Sequence, residues 1–155
     1  MATSPPLRLI SHRTGAPGLR LGLGPNLQPM QALQQLQQLF DRNSFWAQGR
    51  SRRELSRMLQ TSAAVVSVWQ GRQLVGFGRA SSDGLFRAVL WDVVVASAHQ
   101  GQGVGKRIVS SLLAHPRLIG VERVYLMTSN GTGFYRQLGF ESVEQQTLML
   151  RSKQT

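Results

Sequence analysis

The spacing of apolar residues divides the chain into strand-like and helix-like stretches. Residues 90–95 form a short apolar, β-branched run, typical of a strand that is covered on both faces. A glycine-containing stretch follows, and from Val104 the apolar residues recur at helical spacing. Another apolar strand is predicted over residues 121–127, and a short helix around Phe134. The second half therefore reads strand, helix, strand, helix, with a final strand expected after Phe140.

The first half of the chain is predicted to hold a strand, two helices and a hairpin. Residues 19–23 alternate apolar and other residues, as a first strand would. A glutamine-rich helix with one apolar face comes next, and Ser51 with Glu54 has the spacing of a capping box at the start of a second helix. Residues 63–69 and 73–79 read as a hairpin.

The combined order, β-α-α-β-β-β-α-β-α-β, predicts a mixed α/β fold (α+β, with a mixed sheet). At 155 residues the chain has the size of one domain, which we assign to residues 19–155. Residues 1–18 are rich in Ser, Thr, Pro, Arg and Gly, and we expect a flexible or irregular N-terminal segment there. That composition is also weakly similar to a transit peptide.

Composition excludes several classes of function. Without cysteine the chain has no disulfide and no thiol nucleophile, and its histidines lack metal-ligand spacing, so no metal is expected. No apolar run is long enough to cross a membrane. The net charge of +11 is compatible with nucleic-acid binding, but the longest basic run is Arg52-Arg53 and aromatic residues do not alternate with basic ones. The sequence therefore argues against nucleic acid as a partner.

The glycine-containing stretch suits a phosphate. Gly101, Gly103 and Gly105 lie between the 90–95 strand and the helix that begins at Val104, where free N–H groups and the helix dipole attract anions. The spacing does not fit the dinucleotide motif G-x-G-x-x-G, and it does not fit a P-loop. We expect a Cβ at Gly103 or Gly105 to clash or to block access to these N–H groups.

Two motifs resemble those of the GNAT superfamily of N-acetyltransferases. Gln100-x-x-Gly103-x-Gly105 is similar to the Q/R-x-x-G-x-G/A motif, and residues 134–140, FYRQLGF, are similar to F-Y-x-x-L-G-F. The likeness is nearest to the cyanobacterial and plastid branch of the superfamily, which is associated with arylalkylamine (serotonin-type) and protein N-acetylation. The resemblance implies the acyl-CoA N-acyltransferase fold with a splayed central sheet.

The resemblance also implies acetyl-CoA as the acetyl donor and the residues that bind it. The N–H of Val93 would face the thioester carbonyl, Val95 would pair with the pantetheine arm, and the glycine turn would hold the pyrophosphate. The cofactor-binding residues are then Val93, Val94, Val95, Gln100, Gly101, Gln102, Gly103, Val104, Gly105, Lys106, Asn130 and Phe134. Asn130 is closer to the tyrosine of the second motif than is usual in the family, so Ser129 or Thr128 is an alternative.

Two residues are candidates for catalysis. By the resemblance, Tyr135 would be the acid that protonates the departing CoA thiolate; a tyrosine that only packs against the cofactor is the alternative. Asp92 is the one acid on its strand. It could accept the amine proton directly or through water, bind the substrate cation, or be a structural acid paired with an arginine.

The predicted function is transfer of the acetyl group of acetyl-CoA to a primary amine, by direct attack in a ternary complex. The acceptor would be an arylalkylamine or a protein lysine or N-terminus. If Phe45, Trp46 and Trp91 line its pocket, an aromatic amine would stack there, although these rings could equally be core. A non-catalytic acyl-CoA-sensing or nucleic-acid-associated module with the same fold is the alternative function. A cytoplasmic bacterial monomer or homodimer is expected, with a plastid location if residues 1–18 derive from a transit peptide.

Overall fold

The computed structural model of the protein describes residues 3–13 and 29–154, without the side chains of residues 29 and 30. In these residues five strands and four α-helices follow one another, with a short 3-10 turn at Ser97–His99 after the fourth strand. Their order is β1 (Leu7–His12), α1 (Pro29–Asn43), α2 (Arg52–Thr61), β2 (Ala64–Gln70), β3 (Gln73–Ser82), β4 (Arg87–Val95), α3 (Val104–Leu113), β5 (Arg123–Tyr125) and α4 (Thr132–Arg136).

The strands form one mixed sheet in the order β1-β2-β3-β4-β5. The first four are antiparallel neighbours, and β5 runs parallel to β4. The predicted mixed α/β fold and the predicted hairpin are thus confirmed. Residues 19–23 lie outside the described residues. The first described strand is instead β1, which falls inside the segment 1–18 that was expected to be flexible or irregular, and which pairs with β2 along its whole length.

Both faces of the sheet are covered by helices, which explains why the inner strands are apolar on both sides. Helices α1 and α2 pack on one face, where Phe40 of α1 meets Phe77 of β3 edge to face at 5.4 Å. Helix α3 packs on the other face through Ile108 and Leu112, both fully buried. The sheet is therefore the centre of a three-layer core.

Two glycines in β3 let α3 approach the sheet closely. A Cβ on Gly78 would lie 2.6 Å from Ile108 Cγ2, and one on Gly76 would lie 2.9 Å from Ile108 Cδ1. Any side chain at either position would push α3 away, and with it the glycine turn that precedes the helix.

The capping box predicted at the start of α2 is present. The Glu54 N–H donates to Ser51 Oγ at 3.1 Å, and the Ser51 N–H donates to Glu54 Oε1 at 2.8 Å. Such a reciprocal pair satisfies two N–H groups that the first turn of a helix leaves free. It fixes where α2 begins, and hence the length of the loop that joins α1 to α2.

The parallel pair β4 and β5 separates after three residues. The two strands pair from Arg87 with Arg123 to Val89 with Tyr125. Strand β4 then continues from Leu90 to Val95, and no described strand pairs with it on that side. The splayed central sheet expected from the sequence is therefore confirmed. The backbone of β4 is exposed to a gap at its carboxyl end.

The final strand expected after Phe140 is not formed, and β5 is shorter than the predicted 121–127. Residues 141–154 lie outside every described strand, and each of them is exposed. Leu148, Met149 and Leu150 are 73%, 88% and 86% exposed. An apolar run becomes a strand only where a neighbour pairs with its backbone, and none of the described strands does so here. None of the described helices is long and apolar enough to cross a membrane.

Candidate active site at the open end of the sheet

A β-bulge lies at the point where β4 leaves β5. Phe77 pairs with Val94 and Arg79 pairs with Trp91, so Gly78 alone faces two residues of β4, Asp92 and Val93. Asp92 has a φ of +54°, a left-handed conformation that only a few per cent of non-glycine residues adopt. The bulge twists β4 and turns the backbone at Val93 out of the regular ladder.

Val93 in the bulge and the two valines after it lie on different sides of the sheet. Val94 is buried with the α1 and α2 core, whereas Val93 and Val95 are half-buried on the α3 side. The side chain of Gln100 donates from Nε2 to the carbonyl oxygen of Val95 at 3.1 Å. The end of β4 is thus tied by a side chain to the start of the glycine turn.

The glycine turn has the backbone that a phosphate cradle requires. Gly101 and Gly103 have φ values of +78° and +80°, and a Cβ on either would meet nothing within 4 Å. Of the two effects expected of a Cβ at Gly103, the clash within the chain is wrong, because the glycine is required there by its left-handed backbone. Gly103 caps α3 without a side chain, so the first N–H groups of the helix have no side-chain cap.

The remaining residues of the turn contribute in different ways. Val104 is buried in the core, so only its backbone can reach a ligand. Lys106 is exposed and supplies a positive charge in the first turn of α3. The Gln102 side chain donates to the carbonyl of Ala98 at 3.4 Å, which closes the turn on itself.

The second sequence motif lies against the first. In α4, Phe134 approaches the start of α3, and its ring packs edge to face on Tyr135 with centroids 4.9 Å apart. Tyr135 in turn packs on Phe140 at 5.8 Å. Burial raises the pKa of the Tyr135 phenol above its ordinary value. Tyr135 therefore keeps its proton at neutral pH.

Asn130 is exposed at the start of α4. The local hydrogen bond there belongs to Thr128, whose Oγ1 accepts from the N–H of Gly131 at 2.9 Å. The sequence left Asn130, Ser129 and Thr128 as alternatives at this position. Thr128 is the one whose side chain forms a hydrogen bond in the turn before α4.

Asp92 is buried, and both of its carboxylate oxygens accept hydrogen bonds. Its Oδ2 accepts from Arg79 Nε at 2.7 Å and from Arg50 Nη1 at 3.0 Å, and its Oδ1 accepts from Trp46 Nε1 at 3.0 Å. Burial raises the pKa of Asp92, but the hydrogen bonds and charges of Arg79 and Arg50 outweigh that effect, and the pKa lies below its ordinary value. These contacts match the structural alternative, an acid paired with arginines. Sequence reasoning did not identify Arg50, Arg79 or Trp46 as its partners.

A cavity of about 820 Å³ opens beside the separated strands. Its walls include Val89 and Trp91 of β4, Tyr125 of β5, Tyr135 of α4 and Leu148 of the C-terminal segment. The candidate acid Tyr135 therefore faces a space large enough for a small molecule. Of the three aromatic residues that the sequence left open as core or pocket residues, Trp91 lines this cavity. Phe45 and Trp46 are 73% and 48% exposed and so are not core, and they lie on the loop outside the cavity wall.

Residues 32–140 match the acetyltransferase (GNAT) family. The chain belongs to this family. The glycine turn at the start of α3 carries the first of the two motifs on which the resemblance rested, and α4 with the residues that follow it carries the second. The family is one of acetyltransferases, and it uses acetyl-CoA as the acetyl donor.

Named relatives agree with this assignment. The chain is 46% identical over 67 residues to serotonin N-acetyltransferase 2, chloroplastic, of Oryza sativa subsp. japonica, which is 43% of this chain and 34% of that protein. It is 34% identical over 113 residues to the uncharacterized N-acetyltransferase ycf52 of Pyropia yezoensis, 70% of this chain and 64% of that protein. The chain thus spans between one third and two thirds of the length of these relatives.

A solved structure shows the same fold over nearly the whole chain. It is a GNAT-family protein from Xanthomonas campestris pv. campestris, with a TM-score of 0.72 and 27% identity, and the match covers 97% of this chain and 96% of that one.

Proposed function

We propose that the protein transfers the acetyl group of acetyl-CoA to a primary amine by direct attack in a ternary complex. The observation that carries this proposal is the gap between β4 and β5, which opens directly beside the glycine turn at the start of α3. A gap in a sheet leaves backbone groups free to pair with an amide-containing arm, and a helix start attracts phosphate. Pantetheine and pyrophosphate are these two parts of one ligand.

The residues around the gap suit such a donor. The open space in front of Gly101 and Gly103 leaves room for a pyrophosphate against the backbone, with Lys106 nearby as a positive charge. Val93 and Val95 lie on the unpaired part of β4, where a pantetheine arm would add as a strand. The Gln100 side chain already donates a hydrogen bond to the carbonyl oxygen of Val95. When a pantetheine arm binds, Gln100 would either give up this hydrogen bond to the ligand or keep it next to the ligand.

Each step of the proposed reaction is assigned to a residue beside the gap. The amine nitrogen attacks the thioester carbonyl carbon, and the N–H of Val93 at the bulge stabilises the oxygen that gains charge. Donors of this kind are worth about 3–4 kcal/mol in known oxyanion holes. The C–S bond then breaks, and the thiolate takes the proton of the Tyr135 hydroxyl group. The attacking nitrogen loses its second proton as the amide forms, and that proton restores the Tyr135 hydroxyl group through solvent. Because burial raises the pKa of Tyr135 from an ordinary value that is already far above neutral pH, the hydroxyl group carries its proton there.

The amine must lose a proton before it can attack. Because both oxygens of Asp92 accept from Arg50, Arg79 and Trp46, Asp92 has little capacity to take it up. The amine proton passes to solvent in the open cavity. Asp92 acts indirectly, by fixing the positions of Arg50, Arg79 and Trp46.

An arylalkylamine is the acceptor that the surface favours. Phe45 and Trp46 present an exposed aromatic pair, with ring centroids 5.1 Å apart, on the loop that reaches β4. A chain of net charge +11 repels polycationic acceptors such as polyamines more strongly than it repels a singly charged arylalkylamine. The likeness to the rice serotonin N-acetyltransferase points the same way. A protein lysine or N-terminus is the second acceptor class.

The test is thiol release from acetyl-CoA with 2-phenylethylamine, spermidine and a lysine peptide as alternative acceptors, together with calorimetric titration of acetyl-CoA alone. We expect acetyl-CoA binding without acceptor, and the highest kcat/KM with 2-phenylethylamine. Failure to bind acetyl-CoA would remove the donor site. Equal or better turnover of spermidine would remove the acceptor assignment and leave the donor site intact.

A further inference from the structure

One buried carboxylate joins three separate parts of the chain beside the proposed site. Asp92 of β4 accepts hydrogen bonds from Arg79 of β3, and from Arg50 and Trp46 of the loop between α1 and α2. The Asp92 side chain is only 3% exposed, and its left-handed backbone forms the bulge next to Val93. A single residue thus shapes the strand and holds the loop above it.

The loop is also held at its two ends. Asn43 Oδ1, at the end of α1, accepts from both the N–H and the Oγ of Ser97, at 3.0 and 2.9 Å, just beyond β4. At the other end the carbonyl of Arg50 accepts from Gln37 Nε2 at 3.0 Å, and the Arg50 guanidinium lies 5.5 Å from the ring centroid of Phe40. Between these ends Trp46 donates a hydrogen bond to Asp92 and packs edge to face on the ring of Phe45.

We propose that Asp92 is a positioning residue that holds the aromatic pair Phe45–Trp46 over the bulge of β4 and so sets where the acceptor amine lies relative to the Val93 amide. This inference rests on the proposed function, because it concerns the acceptor side of the same site. The indole N–H of Trp46 is bound on its inner edge by Asp92, while about half of the side chain stays exposed for an acceptor. Misplacement of a substrate by about 1 Å can cost on the order of 100-fold in rate.

Two variants test the charge of Asp92 and the indole donor of Trp46 separately. Asp92→Asn keeps the size of the side chain and tolerates the left-handed backbone, but it removes the charge that holds Arg50 and Arg79. Trp46→Phe keeps an aromatic ring on an exposed loop and removes only the indole donor. With 2-phenylethylamine as acceptor we expect the amine KM to rise on the order of tenfold in each variant and kcat to fall, because the bound amine is misplaced, while the acetyl-CoA KM stays within about twofold. Asp83→Asn, in the exposed turn between β3 and β4, is the matched control and should have wild-type KM values.

The double variant provides the decisive comparison. If Asp92 acts through Trp46, Asp92→Asn with Trp46→Phe raises the amine KM no more than the larger single effect. Effects that multiply, an equal rise in both KM values, or unchanged kinetics would overturn the assignment. Amide hydrogen exchange of residues 43–50 gives a readout without turnover: it should speed up in Asp92→Asn while exchange in α3 is unchanged. Acetyl-CoA binding to the wild-type protein, measured in parallel, reports separately on the donor site.

Discussion

Gly105 lies directly against the ring of Phe134: a Cβ on Gly105 would be 3.3 Å from Phe134 Cζ. The glycine belongs to the turn that opens α3, and the phenylalanine to α4, which also carries Tyr135. The two sequence motifs of the family are therefore in contact. This contact fixes the distance between the glycine turn, which would bind phosphate, and α4, which carries the proposed acid Tyr135.

We predict that Gly105→Ala raises the KM for acetyl-CoA about tenfold, because the methyl group pushes Phe134 away or shifts the N–H groups at the start of α3. The protein should stay folded, since the ring has to move by only a few tenths of an ångström. Steady-state kinetics and calorimetric titration of acetyl-CoA measure the change. Gly120→Ala, where a Cβ meets nothing within 4 Å, is the control.

Gly103→Ala should weaken acetyl-CoA binding for a different reason. Its φ of +80° costs an alanine roughly 1–2 kcal/mol, so the variant should lose stability as well as affinity. Thermal unfolding of both variants tells the two causes apart. Wild-type acetyl-CoA affinity in a folded Gly105→Ala protein would remove the argument for the cradle.

Tyr135→Phe tests the proposed acid. The ring contacts with Phe134 and Phe140 are kept, and only the hydroxyl group is lost. We expect kcat to fall roughly 100-fold or more, with acetyl-CoA affinity nearly unchanged, because general acids contribute about 10²–10⁴ in rate. A wild-type kcat would show that Tyr135 only packs.

The pH dependence of the wild-type protein gives a second readout of Tyr135. Since burial raises the pKa of its phenol, the acid form persists above the ordinary value of 10.0. An alkaline fall in kcat that is assigned to Tyr135 should therefore begin above that pH, and it should be absent from the residual activity of Tyr135→Phe. A fall that is identical in both proteins belongs to another group.

Local signals made most of the fold predictable. The capping box at Ser51 and Glu54, the hairpin of β2 and β3 and the glycine turn each depend on residues close together in the sequence. The final strand failed as a prediction because pairing is not local: the apolar run at 148–150 has strand character, but a strand exists only where another backbone binds it.

Only part of the candidate site was predictable, namely the part that local sequence motifs define. Gly101, Gly103 and Tyr135 could be placed from motifs. The surroundings of Asp92 could not, because its donors Trp46 and Arg50 come from a loop more than forty residues earlier. Nothing in an apolar strand pattern signals that one residue in it will be left-handed.

Gly78→Ala should destabilise the fold. A Cβ at residue 78 would come within 2.6 Å of Ile108 Cγ2 and 3.1 Å of Leu112 Cδ1, so α3 must move away from β3. Overpacking of a well-packed core typically costs 1–3 kcal/mol, and we expect a loss in that range in urea unfolding. Gly120→Ala again serves as the control. Retained stability would mean that α3 can shift freely, and acetyl-CoA affinity should then fall instead.

The stability of the protein should fall in mild acid because of His12. This residue ends β1, its Nε2 lies 2.9 Å from Ser67 Oγ, and burial lowers its pKa from 6.5 to about 4. Between these two values the unfolded chain binds a proton that the folded chain does not, so stability is present above pH 6.5 and is lost as the pH falls toward 4. Linkage gives a loss of about 2 kcal/mol between about pH 7 and pH 5.

Urea unfolding at these two pH values measures the effect, and two variants identify its cause. His12→Gln should remove most of the difference between the pH values, because the amide does not titrate. Ser67→Ala should lower stability at both pH values but keep the difference, because burial and not the hydroxyl group depresses the pKa of His12. An unchanged difference in His12→Gln would assign the acid sensitivity to other groups. The carboxylate of Asp92 cannot account for it, since its lowered pKa places its own contribution below pH 4.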